Sequence, residues 1–256
     1  MPSPVSDAPR PARMDLSPDL PDALRLTSIN DRALVRLIPE TYHKPPVLRG
    51  LVDTEAEAAI LAELEGQTSD RLIAEREGAR GLDRRELVFA RRAQDLQVYG
   101  QSHINAAFTY TRPTGNRFND GDRGAWYCSY HSLTSAEEVG FHRTRELGFA
   151  GVYEDSARYV ELLADFIGDF PDLADCTDHP ALSPDTGPGY AAGQRLAGAL
   201  RRAGHRGLLY PSVRAPGGRC FVAFDPGVVQ NVRPGAGWTL RWTGTPEFSI
   251  AATPSA

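Results

Sequence analysis

The stretch Gly115–His142, GNRFNDGDRGAWYCSYHSLTSAEEVGFH, combines a turn, a short strand and a helix around several polar side chains. Ala125–Ser129 is rich in residues that suit a pleated, half-buried strand. A helix should follow, because Thr134 and Glu137 have the spacing of a capping box ahead of apolar residues. Glu137 would then serve the cap, whereas Glu138, about 100° further round the helix, is not needed for it. We therefore expect Glu138 to be the chemical centre.

Three further side chains are candidates for binding an anion or a planar group. Arg117 follows a Gly-Asn turn that leaves its guanidinium free, although turn arginines are commonly just solvated. Tyr127 offers a stacking surface for a heterocycle, or else faces the core. Arg36 interrupts the apolar strand Leu34–Ile38. It either reaches water from an edge strand or is buried and needs an anion such as a phosphate.

A serine and an arginine close the apolar run that ends near residue 214. The Ser212 hydroxyl most simply makes a strand-end hydrogen bond, and no GxSxG elbow surrounds it, so it is a poor candidate for a hydrolase nucleophile. Arg214 adds a second candidate phosphate ligand. His142 lies one helical turn from Glu138, but no third ligand has a telling spacing, so no metal site is expected.

Composition limits the class of protein. The 256 residues are 41% hydrophobic, which is enough for one large domain with a core. The net charge of -5 argues against direct nucleic-acid binding. Three widely spaced cysteines without a CxxC motif are typical of reduced thiols. The N-terminus lacks the apolar core of a signal peptide and no run suits a membrane helix, so we expect a cytoplasmic protein without membrane contact.

The order of the elements predicts an α+β fold with a mixed or antiparallel sheet core and flanking helices, because strands and helices mix without strict βαβ alternation. Residues 1–24 are predicted to be a disordered Pro-rich tail, and residues 25–256 a single domain with a helical insertion near 53–80. Helices are predicted at Asp53–Leu64, Thr68–Glu77, Ser156–Phe166 and Gly189–Ala203, strands at Leu34–Ile38, Ile104–Tyr110, Ala125–Ser129, Gly207–Val213, Arg219–Phe224 and Trp238–Trp242, and a loop at Asp169–Pro188.

Four segments together resemble the RES-domain family, which is named for an arginine, a glutamate and a serine. They are Leu34–Pro39 with Arg36, Gly115–Asn119 with Arg117, Tyr127–His142 with Glu138, and Gly207–Arg214 with Ser212. The likeness extends over roughly residues 33–47 and 85–230.

The resemblance implies a fold similar to the ADP-ribosyltransferase toxins and an enzyme that degrades NAD+. It implies a toxin of a toxin–antitoxin pair, held inactive by an Xre-type antitoxin. NAD+ would be a substrate rather than a cofactor, with inorganic phosphate as the expected acceptor, as in an NAD+ phosphorylase. The expected catalytic residues are Glu138, Arg36 and Ser212, and the expected substrate-binding residues are Arg117, Tyr127 and Arg214.

Two alternatives stay open at this point. A protein ADP-ribosyltransferase would use the same pocket and transfer ADP-ribose to a macromolecule. A non-catalytic module would bind a nucleotide or the antitoxin without turnover. The insertion near 53–80 suits either partner contacts or simple packing, and a homodimer is also left open.

Overall fold

The computed structural model describes residues 24–43, 54, 69–87 and 99–253. The predicted tail, apart from its last residue, lies outside the described residues. So does the helix predicted over 53–64, apart from Thr54. Both therefore stay predictions. Among the described residues, no helix is both long and apolar enough to cross a lipid bilayer.

Within the described ranges, seven strands form one mixed sheet in the order β1-β2-β5-β4-β3-β6-β7. The β3–β4 pair is parallel and the other pairs are antiparallel. Because β1 also pairs with β3, the strands β1, β2, β5, β4 and β3 make a closed circuit of pairings, and β6 and β7 continue outward from β3. The strands are β1 Arg25–Pro39, β2 Trp126–Ser129, β3 Glu154–Asp172, β4 Gly207–Pro211, β5 Arg219–Ala223, β6 Gln230–Thr243 and β7 Phe248–Thr253.

Four α-helices flank this sheet in the described part of the chain. They are α1 Asp70–Glu77, α2 Gln101–Thr109, α3 Ser132–Ala150 and α4 Thr186–Arg202. The three longer helices each contribute to a separate apolar cluster against the strands, α2 through Phe108, α4 through Leu196 and α3 through Leu147. The predicted α+β class with a mixed sheet and flanking helices is confirmed.

The helix predicted over Ser156–Phe166 is wrong, because this segment is the middle of strand β3. The strand lies between β1 and β6, which pair with it along most of its length. A central strand buried on both faces has a nearly continuous apolar run, which helical spacing also fits. Glu161 and Asp165 interrupt this run and imitate a polar helix face, although both are buried. Glu161 accepts hydrogen bonds from the backbone N of Ala236 (2.9 Å) and from Trp238 Nε1 (2.7 Å).

The strand predicted over Ile104–Tyr110 is also wrong, because these residues form most of helix α2. The buried residues Ile104 and Phe108 lie one turn apart on the same side of the helix. The predicted loop Asp169–Pro188 is wrong at both ends, since β3 runs to Asp172 and α4 begins at Thr186, where the Asp185 side chain caps it.

The capping box predicted at Thr134 and Glu137 is absent. Helix α3 begins at Ser132, two residues earlier, and the preceding His131 makes no side-chain cap. Hydroxyl groups connect the start of this helix to the sheet instead. Ser135 Oγ lies 2.7 Å from Ser129 Oγ on β2 and also 2.7 Å from the Val35 carbonyl oxygen on β1.

The remaining predicted elements agree with the structure more closely. The strand over Ala125–Ser129 is β2, and the predicted hairpin of two strands is the antiparallel pair β4–β5. The helix over Gly189–Ala203 is α4, which begins three residues earlier. The last predicted strand is the end of the longer β6, and β7 follows it without having been predicted.

A close contact between α4 and the Arg117 backbone requires glycine at position 193. A Cβ atom there would lie 2.1 Å from the Arg117 carbonyl oxygen. We expect Gly193→Ala to lower the free energy of unfolding by about 1–3 kcal/mol, because helix and loop must separate. The matched control is Gly198→Ala on the same helix, where the nearest atom is the mobile Arg202 Nη1 at 3.3 Å. Chemical denaturation measures both variants, and equal stability of the two would contradict this packing.

Candidate active site

A cavity of about 200 Å³ lies between helix α3 and strands β1, β2 and β5. Five predicted site residues line it, namely Arg36, Arg117, Tyr127, Glu138 and Arg214. They come from four separate parts of the sequence, which the sheet and α3 bring together. The other lining residues are Leu37, Asn116, Cys128, Ser129, Ser135, Val139, His142, Tyr190, Tyr210 and Cys220.

Ser212, the sixth predicted residue, does not line the cavity but holds the carboxylate that does. Its Oγ donates a hydrogen bond to Glu138 Oε1 at 2.6 Å. Ser212 Oγ in turn accepts hydrogen bonds from the backbone N of Arg214 (3.2 Å) and of Ala215 (2.9 Å). These two amides fix the hydroxyl, which therefore orients the carboxylate. Among the described residues no group donates to Glu138 Oε2, so this oxygen is available to a ligand.

Arg117 is buried, with 8% of its surface exposed, and is not the solvated turn arginine that its sequence context also allowed. Its Nη1 donates to the carbonyl oxygens of Ala181 (2.5 Å) and Ser183 (2.9 Å) just before α4. Its guanidinium carbon lies 5.3 Å from the ring centre of Tyr190. One side of the guanidinium group thus anchors the loop before α4, while the residue still borders the cavity.

Tyr127 uses its hydroxyl within the protein. The hydroxyl donates to Asn119 Oδ1 (2.8 Å) and accepts from the backbone N of Phe118 (2.9 Å), and burial raises the pKa of Tyr127 well above its ordinary value. The tyrosine therefore connects β2 to the loop that carries Arg117. Its ring is the part that remains for contact with a ligand.

Arg36 enters the site from β1 and has few partners. Its Nη1 lies 3.3 Å from the Tyr127 carbonyl oxygen, and its guanidinium carbon lies 5.0 Å from the centre of the Trp126 ring. Among the described residues no carboxylate forms an ion pair with it. Burial lowers the pKa of the Arg36 guanidinium from its ordinary value. A half-buried cation without a counter-ion is suited to binding an anionic ligand.

Arg214 lines the cavity from the segment after β4 and contacts α3. Its guanidinium carbon is 3.5 Å from the centre of the Phe141 ring, and its Nη2 donates to the Pro184 carbonyl oxygen at 2.8 Å. The side chain is thus stacked on an aromatic face, which holds the guanidinium in place.

Several lining residues could not be identified from sequence reasoning. Tyr190 reaches the cavity from the second turn of α4, and no motif marks it. Cys128 and Cys220 lie on neighbouring strands, and burial raises the pKa of both thiols well above the ordinary value. Buried thiols of this kind are inert rather than nucleophilic. All three cysteines are free, as predicted. Over the described ranges, no cluster of three or more potential metal ligands is present.

His142 borders the same cavity one helical turn beyond Glu138, as the helical spacing predicted. Its Nδ1 is buried and has no hydrogen-bond partner among the described residues. Burial, together with the positive charges of Arg112, Arg145, Arg214 and Arg117, lowers the pKa of His142 to about 4. The imidazole is therefore neutral at pH 7.

This lowered pKa predicts an acid-dependent loss of stability. Between pH 6.5 and 4 the unfolded chain binds a proton at position 142 that the folded chain does not, so stability falls as the pH falls. In the wild type this proton binding lowers the free energy of unfolding by about 3 kcal/mol between pH 7 and pH 4. We expect this part of the decrease to be absent in His142→Gln. Urea denaturation at both pH values measures this difference. His131→Gln, at an exposed position before α3, is the control; if both variants show the same pH dependence as the wild type, the assignment is wrong.

Comparison with known proteins was made by sequence and by structure. The sequence profile of the family described as the RES domain matches residues 90–243. Comparison with curated protein sequences gives no match. Among solved structures, the chain is similar to one in the crystal structure of the M. tuberculosis MbcT-MbcA toxin–antitoxin complex. That likeness has a TM-score of 0.35 and 19% sequence identity, and it covers 48% of this chain and 73% of that chain. Because the RES profile matches more than half of the 256 residues, this chain belongs to the RES domain family.

Proposed function

We propose that this protein cleaves the bond between nicotinamide and ribose in NAD+, with inorganic phosphate as the acceptor. The observation that carries the proposal is the Glu138 carboxylate, fixed by Ser212 at 2.6 Å, in a cavity that Arg36, Arg117 and Arg214 also border. Membership of the RES domain family supports it, since NAD+ degradation is what resemblance to that family implies. The same membership supports a toxin that an Xre-type antitoxin neutralises inside the cell.

Cleavage of the nicotinamide–ribose bond requires negative charge beside the ribose. The C1″–N bond breaks, and nicotinamide leaves as a neutral molecule with the bonding electron pair. Positive charge develops on the ribose, as in glycoside cleavage, and a fixed carboxylate stabilises it. Glu138 Oε2 is the oxygen available to hold a ribose hydroxyl during this step. A phosphate oxygen then forms the new bond to C1″, which gives ADP-ribose 1″-phosphate; water in its place gives ADP-ribose and a proton.

The other residues then take distinct roles. Arg36, which lacks a carboxylate partner among the described residues, binds the pyrophosphate or the incoming phosphate. Arg117 contributes the part of its guanidinium group that the loop before α4 does not use. The Tyr127 ring stacks on the nicotinamide side, because its hydroxyl is occupied. Ser212, which the family resemblance places among the catalytic residues, acts here as a positioning residue for Glu138.

Release of nicotinamide tests this proposal directly. The purified chain is incubated with NAD+, with and without inorganic phosphate, and the products are separated by chromatography and identified by ³¹P NMR. We expect release in both conditions and ADP-ribose 1″-phosphate when phosphate is present. No release with either acceptor rejects the enzyme, and NAD+ binding without turnover identifies a binding module. Appearance of labelled ADP-ribose on a protein would instead identify a protein ADP-ribosyltransferase.

A further inference from the structure

Two arginines contact one aromatic ring beside the cavity, and one of them, Arg214, also lines it. Phe141 and Arg145 lie one turn apart on α3, and Arg214 approaches from the segment after β4. The guanidinium carbon of Arg214 lies 3.5 Å from the ring centre of Phe141, and that of Arg145 lies 5.8 Å from it. Two cationic groups are thus held beside a single ring.

Among the described residues neither guanidinium of this pair forms an ion pair with a carboxylate. Arg145 has no hydrogen bond and no ion pair with any of the described residues, and its guanidinium contacts the Phe141 ring. Two acidic side chains of α3 have other partners. Glu138 accepts from Ser212, and Glu146 pairs with both Arg112 and Arg143. Two like charges near one another favour an anion between them, because each contributes to its attraction.

The size of the cavity indicates which part of a ligand would reach Arg145 and Arg214. A volume of about 200 Å³ is smaller than the 300–1,000 Å³ of pockets that enclose a whole drug-sized ligand. A dinucleotide with its nicotinamide end beside Glu138 therefore extends out of the cavity, and its next charged group is the diphosphate. Guanidinium groups bind phosphate oxygens with paired N–H donors.

We propose that Arg145 and Arg214, held against Phe141, form a subsite for the diphosphate of the ADP half of the dinucleotide. The subsite rests on the proposed function and adds Arg145 to the substrate-binding residues expected from the sequence. It predicts that the enzyme selects a dinucleotide over nicotinamide riboside, because the riboside has no group to place between the two arginines.

Kinetics of Arg145→Gln test the subsite in the full chain. We expect the KM for NAD+ to rise about tenfold with kcat nearly unchanged, because a charge-assisted contact to phosphate is lost outside the reacting centre. Turnover of nicotinamide riboside should not change. Arg143→Gln is the matched control, since it removes the same charge from the same helix but from a guanidinium that Asp155 holds at 2.7 Å. An equal KM for the two variants overturns the subsite.

A binding experiment separates this proposal from the enzymatic one. Calorimetry compares ADP, adenosine and inorganic phosphate as ligands of the wild type and of Arg145→Gln. We expect ADP to bind more tightly than adenosine or phosphate, and the variant to lose about tenfold of the ADP affinity. ADP binding of this kind without nicotinamide release keeps the subsite and rejects the proposed function. Nicotinamide release together with an ADP affinity that Arg145→Gln leaves unchanged rejects the subsite and keeps the proposed function.

Discussion

Replacing Glu138 by glutamine is expected to lower nicotinamide release from NAD+ by about 10²–10³-fold, the range for losing one preorganised electrostatic group. Glutamine keeps the length of the side chain, and its amide oxygen can still accept the hydrogen bond that Ser212 Oγ makes at 2.6 Å. The variant therefore loses the negative charge with little change of geometry. Its kcat should fall far more than its affinity for NAD+.

The neighbouring glutamate supplies the control for this experiment. Glu137 is half-buried, precedes Glu138 on α3, and does not line the cavity. Glu137→Gln removes the same charge from the same helical turn, and we expect its nicotinamide release to stay within about twofold of the wild type, as for a residue without contact to the reacting atoms. If Glu138→Gln is as active as Glu137→Gln, and as toxic on expression, the carboxylate at position 138 is not the chemical centre.

Replacing Arg36 by methionine is expected to lower kcat/KM for NAD+ by about 10–150-fold, the equivalent of one charge-assisted hydrogen bond to a phosphate. Methionine fills a similar volume, and the folded protein loses one long hydrogen bond of 3.3 Å to the Tyr127 carbonyl oxygen and the cation–π contact with the Trp126 ring at 5.0 Å. Thermal unfolding should therefore be nearly unchanged. The measurement pairs steady-state kinetics with calorimetric unfolding of the same preparation.

Arg117→Met is the comparison that distinguishes the two arginines. Two carbonyl oxygens, of Ala181 and Ser183, lose their donor in that variant, so it should unfold more easily than Arg36→Met. Full activity of Arg36→Met would show that β1 contributes no ligand to the substrate. Equal loss of stability in both variants would show that Arg36 is a structural residue.

Much of the candidate site could be anticipated from residue types and from the family resemblance, although one argument was wrong in its details. Glu138 was singled out because Glu137 was assigned to a helix cap, yet α3 begins earlier and has no such cap. Glu138 borders the cavity because it lies on the helix face that packs over β1 and β2. Tyr190 could not be anticipated, since α4 reaches the cavity through packing on the Arg117 loop, which leaves no periodic signal in the sequence.

The sequence predicts the fold less well where strands pair with partners that are remote in sequence. Local signals identified β2, the β4–β5 hairpin and α4, because turn residues and helix-ending glycines mark them directly. Strand β3 was assigned to a helix because its partners, β1 and β6, are remote in sequence and their burial of both faces removes the alternation typical of a surface strand. Glu161 also fits a helical pattern, because its presence in a buried strand is explained only by its hydrogen-bond donors on β6.

Because the closed circuit of strand pairings joins segments that are far apart in sequence, the order of synthesis determines when the candidate site can assemble. Arg36 leaves the ribosome first, but β1 must wait for β2 and for β3 before it has neighbours to bond with. The hydroxyl that orients Glu138 arrives still later, at position 212. A nascent chain that already contains Arg36, Arg117 and Glu138 therefore has no assembled pocket. The candidate active site can therefore form only after the chain has been synthesised through Ser212, long after Arg36 has left the ribosome.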